Sequence, residues 1–162
     1  MADGPDIAIS IRAAAWRQTV PRVRRLCRHA ALAALAVENI TDRQAEVSIV
    51  LGDDDLVRRL NREFRDRDEP TDVLSFPGPS QFAGGPAMLG DVVIALETTR
   101  RDAAEADKRL ADHLCHLVIH GVLHLLGHDH QSAAAARRME SLEARILADL
   151  GIADPYAEAA HG

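Results

Sequence analysis

Four short segments have the apolar patterns of β-strands. Apolar and polar side chains alternate over residues 7–11 and 47–51, which predicts two strands that each bury one face. Residues 88–96 form an almost continuous apolar run, which favours a strand buried on both faces. Pro70 interrupts a charged segment and pushes the residue before it towards extended geometry, and a short strand is predicted just beyond it, over residues 72–76.

The rest of the apolar pattern repeats with a helical period. It predicts helices over residues 19–37, 53–64, 99–126 and 132–150. Asp53 is placed to cap the second helix, because its carboxylate can accept a hydrogen bond from a backbone N–H of the first turn. The third helix is charged in its first turns and apolar on nearly all sides in its second half, which is typical of a helix buried in the middle of a fold.

These elements predict an α+β fold with one mixed sheet of about four strands packed against helices, and a central buried helix. A chain of 162 residues can bury a core within one domain, so we expect residues 1–162 to form a single domain. The ordered core is expected to span about residues 7–150, followed by a short flexible C-terminal tail. The prolines and glycines of residues 77–86 predict an exposed loop between two strands.

The composition is ordinary for a soluble protein. Hydrophobic residues make up 47% of the chain and aromatic residues only 3%, so the core must be built mainly from aliphatic side chains. No apolar run approaches the ~20 residues needed to cross a bilayer, and the N-terminus lacks the basic start and apolar stretch of a secretory signal. Cys27 and Cys115 form no metal-binding or disulfide pattern. We therefore expect a cytoplasmic protein with reduced cysteines and no membrane partner.

The net charge of −6 at pH 7 argues against a general affinity for nucleic acid. Two groups of arginines are nevertheless concentrated on the first and second predicted helices. They are Arg22, Arg24, Arg25 and Arg28 in one group, and Arg58, Arg59 and Arg62 in the other. A solvated helix surface is the commoner explanation of such groups, and a track that binds RNA is the alternative hypothesis.

The sequence HGVLHLLGHDH, residues 120–130, ends the predicted central helix. His120 and His124 are four residues apart, which places both imidazoles on one helix face, close enough to bind one metal ion. Gly127 suits the left-handed conformation that ends a helix, so the chain can turn back and bring a third ligand, His130, from outside the helix. Three protein ligands and an open fourth position are typical of a catalytic zinc site, so we predict one Zn²⁺ ion per chain.

The histidine spacing is also similar to that of the metzincin peptidases. In those enzymes a glutamate follows the first histidine and acts as the general base, whereas this chain has Gly121 at that position. A glycine cannot accept a proton, so a metallopeptidase is the less favoured alternative.

Other residues near the motif are candidates for supporting roles. His128 is an alternative third ligand, ranked below His130 because the chain must first turn back. His116, upstream on the same helix, is expected to lie in the core or to support a ligand. Asp129 is a weaker candidate for a carboxylate that orients a ligand histidine, and Asp91 is a weaker candidate for orienting the site.

Three segments together resemble the YbeY family of bacterial endoribonucleases, the rRNA maturation factors. They are the histidine motif, NREFRDRDEPTDVLSFP at residues 61–77 and LGDVVIA at residues 89–95. They occur in the family's order and at compatible separations, and the resemblance spans nearly the whole chain, from residue 7 to about 150.

The resemblance implies a zinc-dependent endoribonuclease that acts on single-stranded RNA. It implies a zinc ion held by His120, His124 and His130, and a functionally required arginine that corresponds to Arg65. Family members are linked to processing of the 3′ end of small-subunit rRNA and to ribosome quality control. The small ribosomal subunit and its assembly factors are therefore implied partners, and DNA is not.

These residue types suit the cleavage of a phosphodiester bond. Zinc can polarise a phosphoryl oxygen or lower the pKa of water, and Arg65 can make planar, permanently charged contacts to other phosphoryl oxygens. Either zinc hydroxide or the 2′-OH of the RNA can be the nucleophile. Without the resemblance, a solvated charge or a salt bridge to Asp66 or Asp68 is the commoner explanation of Arg65. A non-catalytic ribosome-assembly protein with a structural zinc ion is the remaining alternative.

Overall fold

One mixed β-sheet organises the computed structural model, which describes residues 4–41, 45–78 and 87–157. Its strands are β1 (Asp6–Ile11), β2 (Ala45–Gly52), β3 (Val73–Pro77) and β4 (Ala87–Ala95). The helices are α1 (Ala15–Thr19), α2 (Val23–Val37), α3 (Asp54–Arg65), α4 (Leu96–Glu105), α5 (Leu110–Leu125) and α6 (Ala133–Asp149). The predicted α+β fold with a four-stranded mixed sheet is therefore confirmed. Most of the predicted loop 77–86 lies outside the described residues.

The strand order across the sheet is β1-β2-β4-β3. Strands β1, β2 and β4 run parallel, whereas β3 pairs antiparallel with β4 and forms one edge of the sheet. The main hydrophobic core joins one face of the sheet to α2, α5 and α6, and a smaller cluster joins the other face to α3. The predicted central helix is confirmed in α5, where residues 117–119 and 121–123 are all buried.

The predicted start of the helix over residues 19–37 is wrong: this helix is α2, and a separate short helix, α1, precedes it. Helix α1 ends at Thr19 and α2 begins at Val23, because Arg22 takes a left-handed conformation with φ of 58°. Helix α1 buries Trp16 completely, and its indole N–H donates a 2.8 Å hydrogen bond to the carbonyl of Gly52. This contact ties α1 to the end of β2.

The predicted helix over residues 99–126 is also wrong, since α4 and α5 are separate helices. The break lies at Asp107, whose φ of 56° is left-handed, and the N–H of Lys108 bonds the carbonyl of Ala103 at 2.8 Å. Aspartate tolerates this conformation better than most residues other than glycine. Because of this break, α5 runs in a different direction from α4 and packs on one face of the sheet.

The predicted N-terminal cap of α3 is confirmed. Asp53 caps α3 by accepting a 2.9 Å hydrogen bond from the N–H of Leu56. Cys27 and Cys115 are both free and buried, and burial raises the pKa of each thiol to about 12. Within the described residues, no helix is both long and apolar enough to cross a membrane.

The chain continues to contact the core after residue 150, where the sequence predicts the start of a flexible tail. Residues 151–157 return to the core: the N–H of Ile152 bonds the carbonyl of Leu147, and the hydroxyl of Tyr156 reaches α6. Lys108 donates a 3.4 Å hydrogen bond to the carbonyl of Pro155 in this segment. The remainder of the predicted tail, residues 158–162, lies outside the described residues.

Candidate active site

Three histidines meet at the C-terminal end of α5. The Nε2 atoms of His120 and His124 are 3.1 Å apart, with their ring centroids separated by 4.6 Å. The ring of His130 lies 5.0 Å from that of His124 and 5.6 Å from that of His120. One donor atom from each imidazole lies within 4.8 Å of the other two. The three side chains that the sequence predicts as ligands can therefore bind one metal ion.

The turn after α5 brings His130 back to the helix. Helix α5 ends at Leu125, and Gly127 follows in the left-handed conformation, with φ of 99°. The N–H of His128 bonds the carbonyl of Leu123, which fixes the reversal of the chain. The His128 ring faces Glu38, the residue just after α2, at 3.4 Å from Nε2 to the carboxylate, and it is not part of the histidine cluster.

Glu143 on α6 orients the cluster from behind, and sequence reasoning missed it. Its fully buried carboxylate accepts 2.7 Å hydrogen bonds from His120 Nδ1 and His116 Nε2, and a third from the hydroxyl of Tyr156. The available signal was its position on α6, because Glu143 falls on the same face as the buried Met139 and the two residues 146–147. A carboxylate on the apolar face of a helix requires partners.

The pKa of Glu143 decides which imidazole nitrogens carry protons. Burial alone would raise this pKa, but the hydrogen bonds from His116, His120 and Tyr156 outweigh burial and lower it to about 2. An ionised carboxylate only accepts hydrogen bonds, so the Nδ1 of His120 carries a proton that it donates to Glu143. The Nε2 of His120, which faces His124, is then free to bind a metal ion.

The imidazole of His124 is held neutral. Burial, followed by the neighbouring rings of His120 and His130, lowers the pKa of His124 to about 4. A neutral imidazole is the form that binds metal ions, so this ring needs no deprotonation at neutral pH.

Asp129 and Asp91 do not orient the histidines. The Asp129 carboxylate accepts a 3.2 Å hydrogen bond from the N–H of Gln131 and so shapes the turn before α6. Asp91 is exposed on β4, away from the residues that line the histidine cleft. Within the described residues, Asp129 thus makes no hydrogen bond to a candidate ligand, and the carboxylate bonded to His120 is that of Glu143.

Arg65 is the last residue of α3. At the edge of the sheet, its side chain lines the same cleft as the three histidines. One guanidinium nitrogen donates a 2.7 Å hydrogen bond to the carbonyl of Ser75 on β3, and the guanidinium carbon lies 5.3 Å from the ring centroid of Phe76. Asp68 pairs with Arg58 at 2.8 Å instead, and none of the ion pairs found among the described residues involves Arg65. The guanidinium charge thus remains available to an anionic ligand.

The histidines and Arg65 line one cleft of about 480 Å³. Its other lining residues come from β3 and the segment just before it, and are Thr71, Asp72, Val73, Leu74, Ser75 and Pro77. On α3, next to Arg65 in the sequence, the ring of Phe64 packs edge-on against that of Phe76 at 5.6 Å and is 61% exposed. Large exposed aromatic rings are unusual in a chain this poor in aromatic residues.

Gly121 excludes a metzincin-type glutamate next to His120. A Cβ atom on Gly121 would lie 2.6 Å from Cγ1 of Val92 and 3.2 Å from Oγ of Ser75. That side of α5 packs directly on the sheet, and Ser75 donates a 3.0 Å hydrogen bond to the carbonyl of Gly121. Glycine is therefore required here for packing, and a side chain at this position would point into the sheet and away from the cleft.

The two arginine groups do not form one continuous track. On α2, Arg24 and Arg28 donate hydrogen bonds to the carbonyls of Ile9 and Ile7 on β1. Strand β1 is at the opposite edge of the sheet from β3. These two α2 arginines thus bind the free edge of β1, and only the α3 group lies on the helix that carries Arg65.

The fold and the cleft define a class: a small α+β protein with a solvent-open group of three histidines that can bind a metal ion, in the same cleft as an arginine. A family model described as "Endoribonuclease YbeY" matches residues 9–151. The chain therefore belongs to the endoribonuclease YbeY family, which confirms the resemblance seen in the sequence motifs.

Individual relatives cover nearly the whole chain. The chain is 46% identical over 158 residues to the endoribonuclease YbeY of Paramagnetospirillum magneticum, covering 94% of this chain and 96% of that protein. It is 47% identical over 163 residues to that of Parvibaculum lavamentivorans, covering 94% and 85%. The solution structure of TM1509 from Thermotoga maritima matches with a TM-score of 0.57 at 24% identity, covering 90% of this chain and 91% of that one, which supports the same fold.

Proposed function

We propose that this protein is a zinc-dependent endoribonuclease that cleaves single-stranded RNA during rRNA maturation, at the 3′ end of small-subunit rRNA, and acts in ribosome quality control. In this proposal His120, His124 and His130 hold one Zn²⁺ ion and Arg65 is the catalytic residue that contacts the phosphodiester. The small ribosomal subunit is the proposed partner, and the cytoplasm is the proposed location. The proposal is supported by relatives that are named endoribonucleases over nearly the full length of this chain.

The observation that carries the proposal is that three imidazoles and the guanidinium of Arg65 line the same open cleft. Its volume of about 480 Å³ falls in the ~300–1,000 Å³ range of ligand sites. A phosphodiester needs positive charge on more than one side as its oxygens gain negative charge, and an ion held by the histidines together with the Arg65 guanidinium would supply it.

Zinc fits the donor set. Neutral imidazole nitrogens bind zinc at ~2.0–2.1 Å, so two ligands of a tetrahedral ion lie roughly 3.3 Å apart. The 3.1 Å separation between Nε2 of His120 and Nε2 of His124 is close to that value. The hydrogen bond from His120 to Glu143 is the carboxylate–histidine contact that commonly accompanies zinc ligands.

In this proposal, different residues have different roles in cleavage. Bound zinc would supply a Lewis acid beside the scissile phosphate. Arg65 would contact other phosphoryl oxygens through its planar guanidinium, which the carbonyl of Ser75 holds at the edge of the cleft. Glu143 would keep the His120 ring in one orientation and one tautomer. The exposed ring of Phe64 offers a surface on which an unpaired base could stack, which favours single-stranded RNA.

The test is cleavage of a labelled single-stranded RNA by four samples: the native protein, the chelator-treated protein, and the variants Arg65→Ala and Arg67→Ala. Arg67 is a matched control because it is exposed, two residues away, and absent from the cleft. We expect cleavage to stop on chelation and return with Zn²⁺. We expect Arg65→Ala to slow it by roughly 10²–10³-fold, and Arg67→Ala to leave it nearly unchanged.

Other outcomes would contradict the proposal in different ways. Cleavage that survives both chelation and loss of Arg65 would mean that this cleft is not the catalytic site. RNA binding without cleavage in any sample would favour an assembly role, as would unfolding of the chelated protein in circular dichroism. Digestion of casein by the zinc-loaded protein would favour the peptidase alternative.

A further inference from the structure

A second group of metal-binding side chains lies outside the histidine cluster. It consists of Asp72, just before β3, Asp102 on α4 and His113 on α5. One ligand atom from each side chain lies within 4.8 Å of the other two, and all three residues are half-buried. Three separate elements of the fold thus converge on one point through donors that bind cations.

The imidazole of His113 has no partner within the part of the chain that the structure describes. Both of its ring nitrogens are shielded, each with less than 1 Å² exposed, and neither makes a hydrogen bond. Burial, followed by the charge of His116, lowers the pKa of His113, so the ring is neutral and one nitrogen offers a lone pair. A buried polar atom without a partner is costly, typically by ~1–3 kcal/mol, and therefore points to a missing ligand.

The carboxylates of Asp72 and Asp102 also lie close to each other. Burial, followed by the charge of Asp72, raises the pKa of Asp102. Two carboxylates that approach each other need either a shared proton or a bound cation to neutralise them. A divalent cation would neutralise both carboxylates and also bind a ring nitrogen of His113, whereas a shared proton would neutralise only the carboxylates.

We propose that Asp72, Asp102 and His113 form a second metal site, which takes a divalent transition-metal cation such as Zn²⁺. Carboxylate oxygens and an imidazole nitrogen are the mixed donor set that such ions accept. A tetrahedral ion with ~2.0–2.2 Å bonds holds its ligand atoms roughly 3.3–3.6 Å apart, so the three side chains, whose ligand atoms lie within 4.8 Å of one another, would close around the ion on binding.

The second site is separate from the histidine cluster in position and in role. His113 precedes His120 by seven residues on α5, which is roughly 10 Å along a helix. Two ions that act on one phosphate lie only ~3.5–4 Å apart, so this ion would not share the scissile phosphate. It would instead join α4 and α5 to Asp72, a residue that also lines the cleft, and so hold one wall of the cleft in place.

The test is the number of Zn²⁺ ions bound by metal-stripped protein, measured by isothermal titration and native mass spectrometry. We expect the native chain to bind two ions, and Asp102→Asn and His113→Ala to bind one each. His124→Ala is also expected to bind one, because only the second site would remain. Glu105→Gln is the matched control, since Glu105 is an exposed carboxylate on α4 three residues from Asp102, and this variant should bind two.

The variant Asp102→Asn separates the metal site from a shared proton. Asparagine can donate a hydrogen bond to Asp72 as a protonated Asp102 would, so the variant should fold, which circular dichroism checks. A native chain that binds a single ion, or an Asp102→Asn variant that still binds two, would overturn the second site. If His124→Ala lowers the number of bound ions from two to one, the remaining ion occupies the second site. The experiment therefore distinguishes failure of the second site from failure of the histidine site.

Discussion

The contact between Glu143 and His120 allows a quantitative test of how the candidate metal site is organised. Glu143→Gln keeps the shape of the side chain but removes the charge and one acceptor oxygen. The carboxylate accepts from His116, His120 and Tyr156, so the single amide oxygen of glutamine cannot serve all three donors. The amide nitrogen would face at least one N–H or O–H group instead.

The magnitude follows from burial and from the role of the contact. Glu143 is fully buried, so a donor left without a partner there costs ~1–3 kcal/mol, offset in part because glutamine avoids the cost of burying a charge. We expect the metal-free Glu143→Gln protein to lose about 1–2 kcal/mol of unfolding free energy. The His120 ring would also lose its fixed tautomer, and such contacts typically contribute 10- to 100-fold to metal affinity, or ~1.4–2.7 kcal/mol.

The assay is competition for Zn²⁺ with a chelating dye, run beside urea unfolding of the metal-free protein. Glu140→Gln is the matched control, because Glu140 is an exposed carboxylate one turn earlier on α6. Zinc affinity should fall at least tenfold in Glu143→Gln and stay within twofold of native in Glu140→Gln. An unchanged zinc affinity in a folded Glu143→Gln protein would refute the idea that this carboxylate orients a ligand.

Three further predictions concern other parts of the structure. Gly121→Ala should lower the unfolding free energy by ~1–3 kcal/mol in urea denaturation, because the new Cβ would lie 2.6 Å from Val92; an unchanged midpoint would contradict this packing. Phe64→Ala should weaken single-stranded RNA binding by ~1–3 kcal/mol in fluorescence anisotropy, and equal affinity would argue against base stacking. Asp53→Ala should cost about 1 kcal/mol in thermal unfolding through loss of the α3 cap, whereas Asp53→Asn should keep most of it.

The features that the sequence predicts correctly depend on local chemistry. The Asp53 cap and the left-handed Gly127 each depend on a few neighbouring residues, and both lie where the pattern indicates. The apolar surface of the histidine helix required a buried position whatever the topology, and α5 has that position. The spacing of His120, His124 and His130 likewise needs only one helix and one turn.

The features that the sequence does not predict depend on contacts between distant segments or on unusual backbone geometry. Arg22 and Asp107 break helices in the left-handed conformation, which glycine would have signalled but these residues do not. Glu143 supports His120 only because α6 packs on α5. The opposite placement of the two arginine groups follows from the order of strands in the sheet, which periodicity does not contain.

The edge strand β3 explains how residues from opposite faces of the sheet share one cleft. Ser75 donates through its hydroxyl to the carbonyl of Gly121 on α5, at 3.0 Å, and accepts through its own carbonyl from Arg65 on α3, at 2.7 Å. The side chain of one residue thus fixes the helix that carries the histidines, while its backbone holds the arginine. Because β3 is at the edge of the sheet, a long side chain from α3 can pass around it. A central strand would have kept the histidines and Arg65 apart.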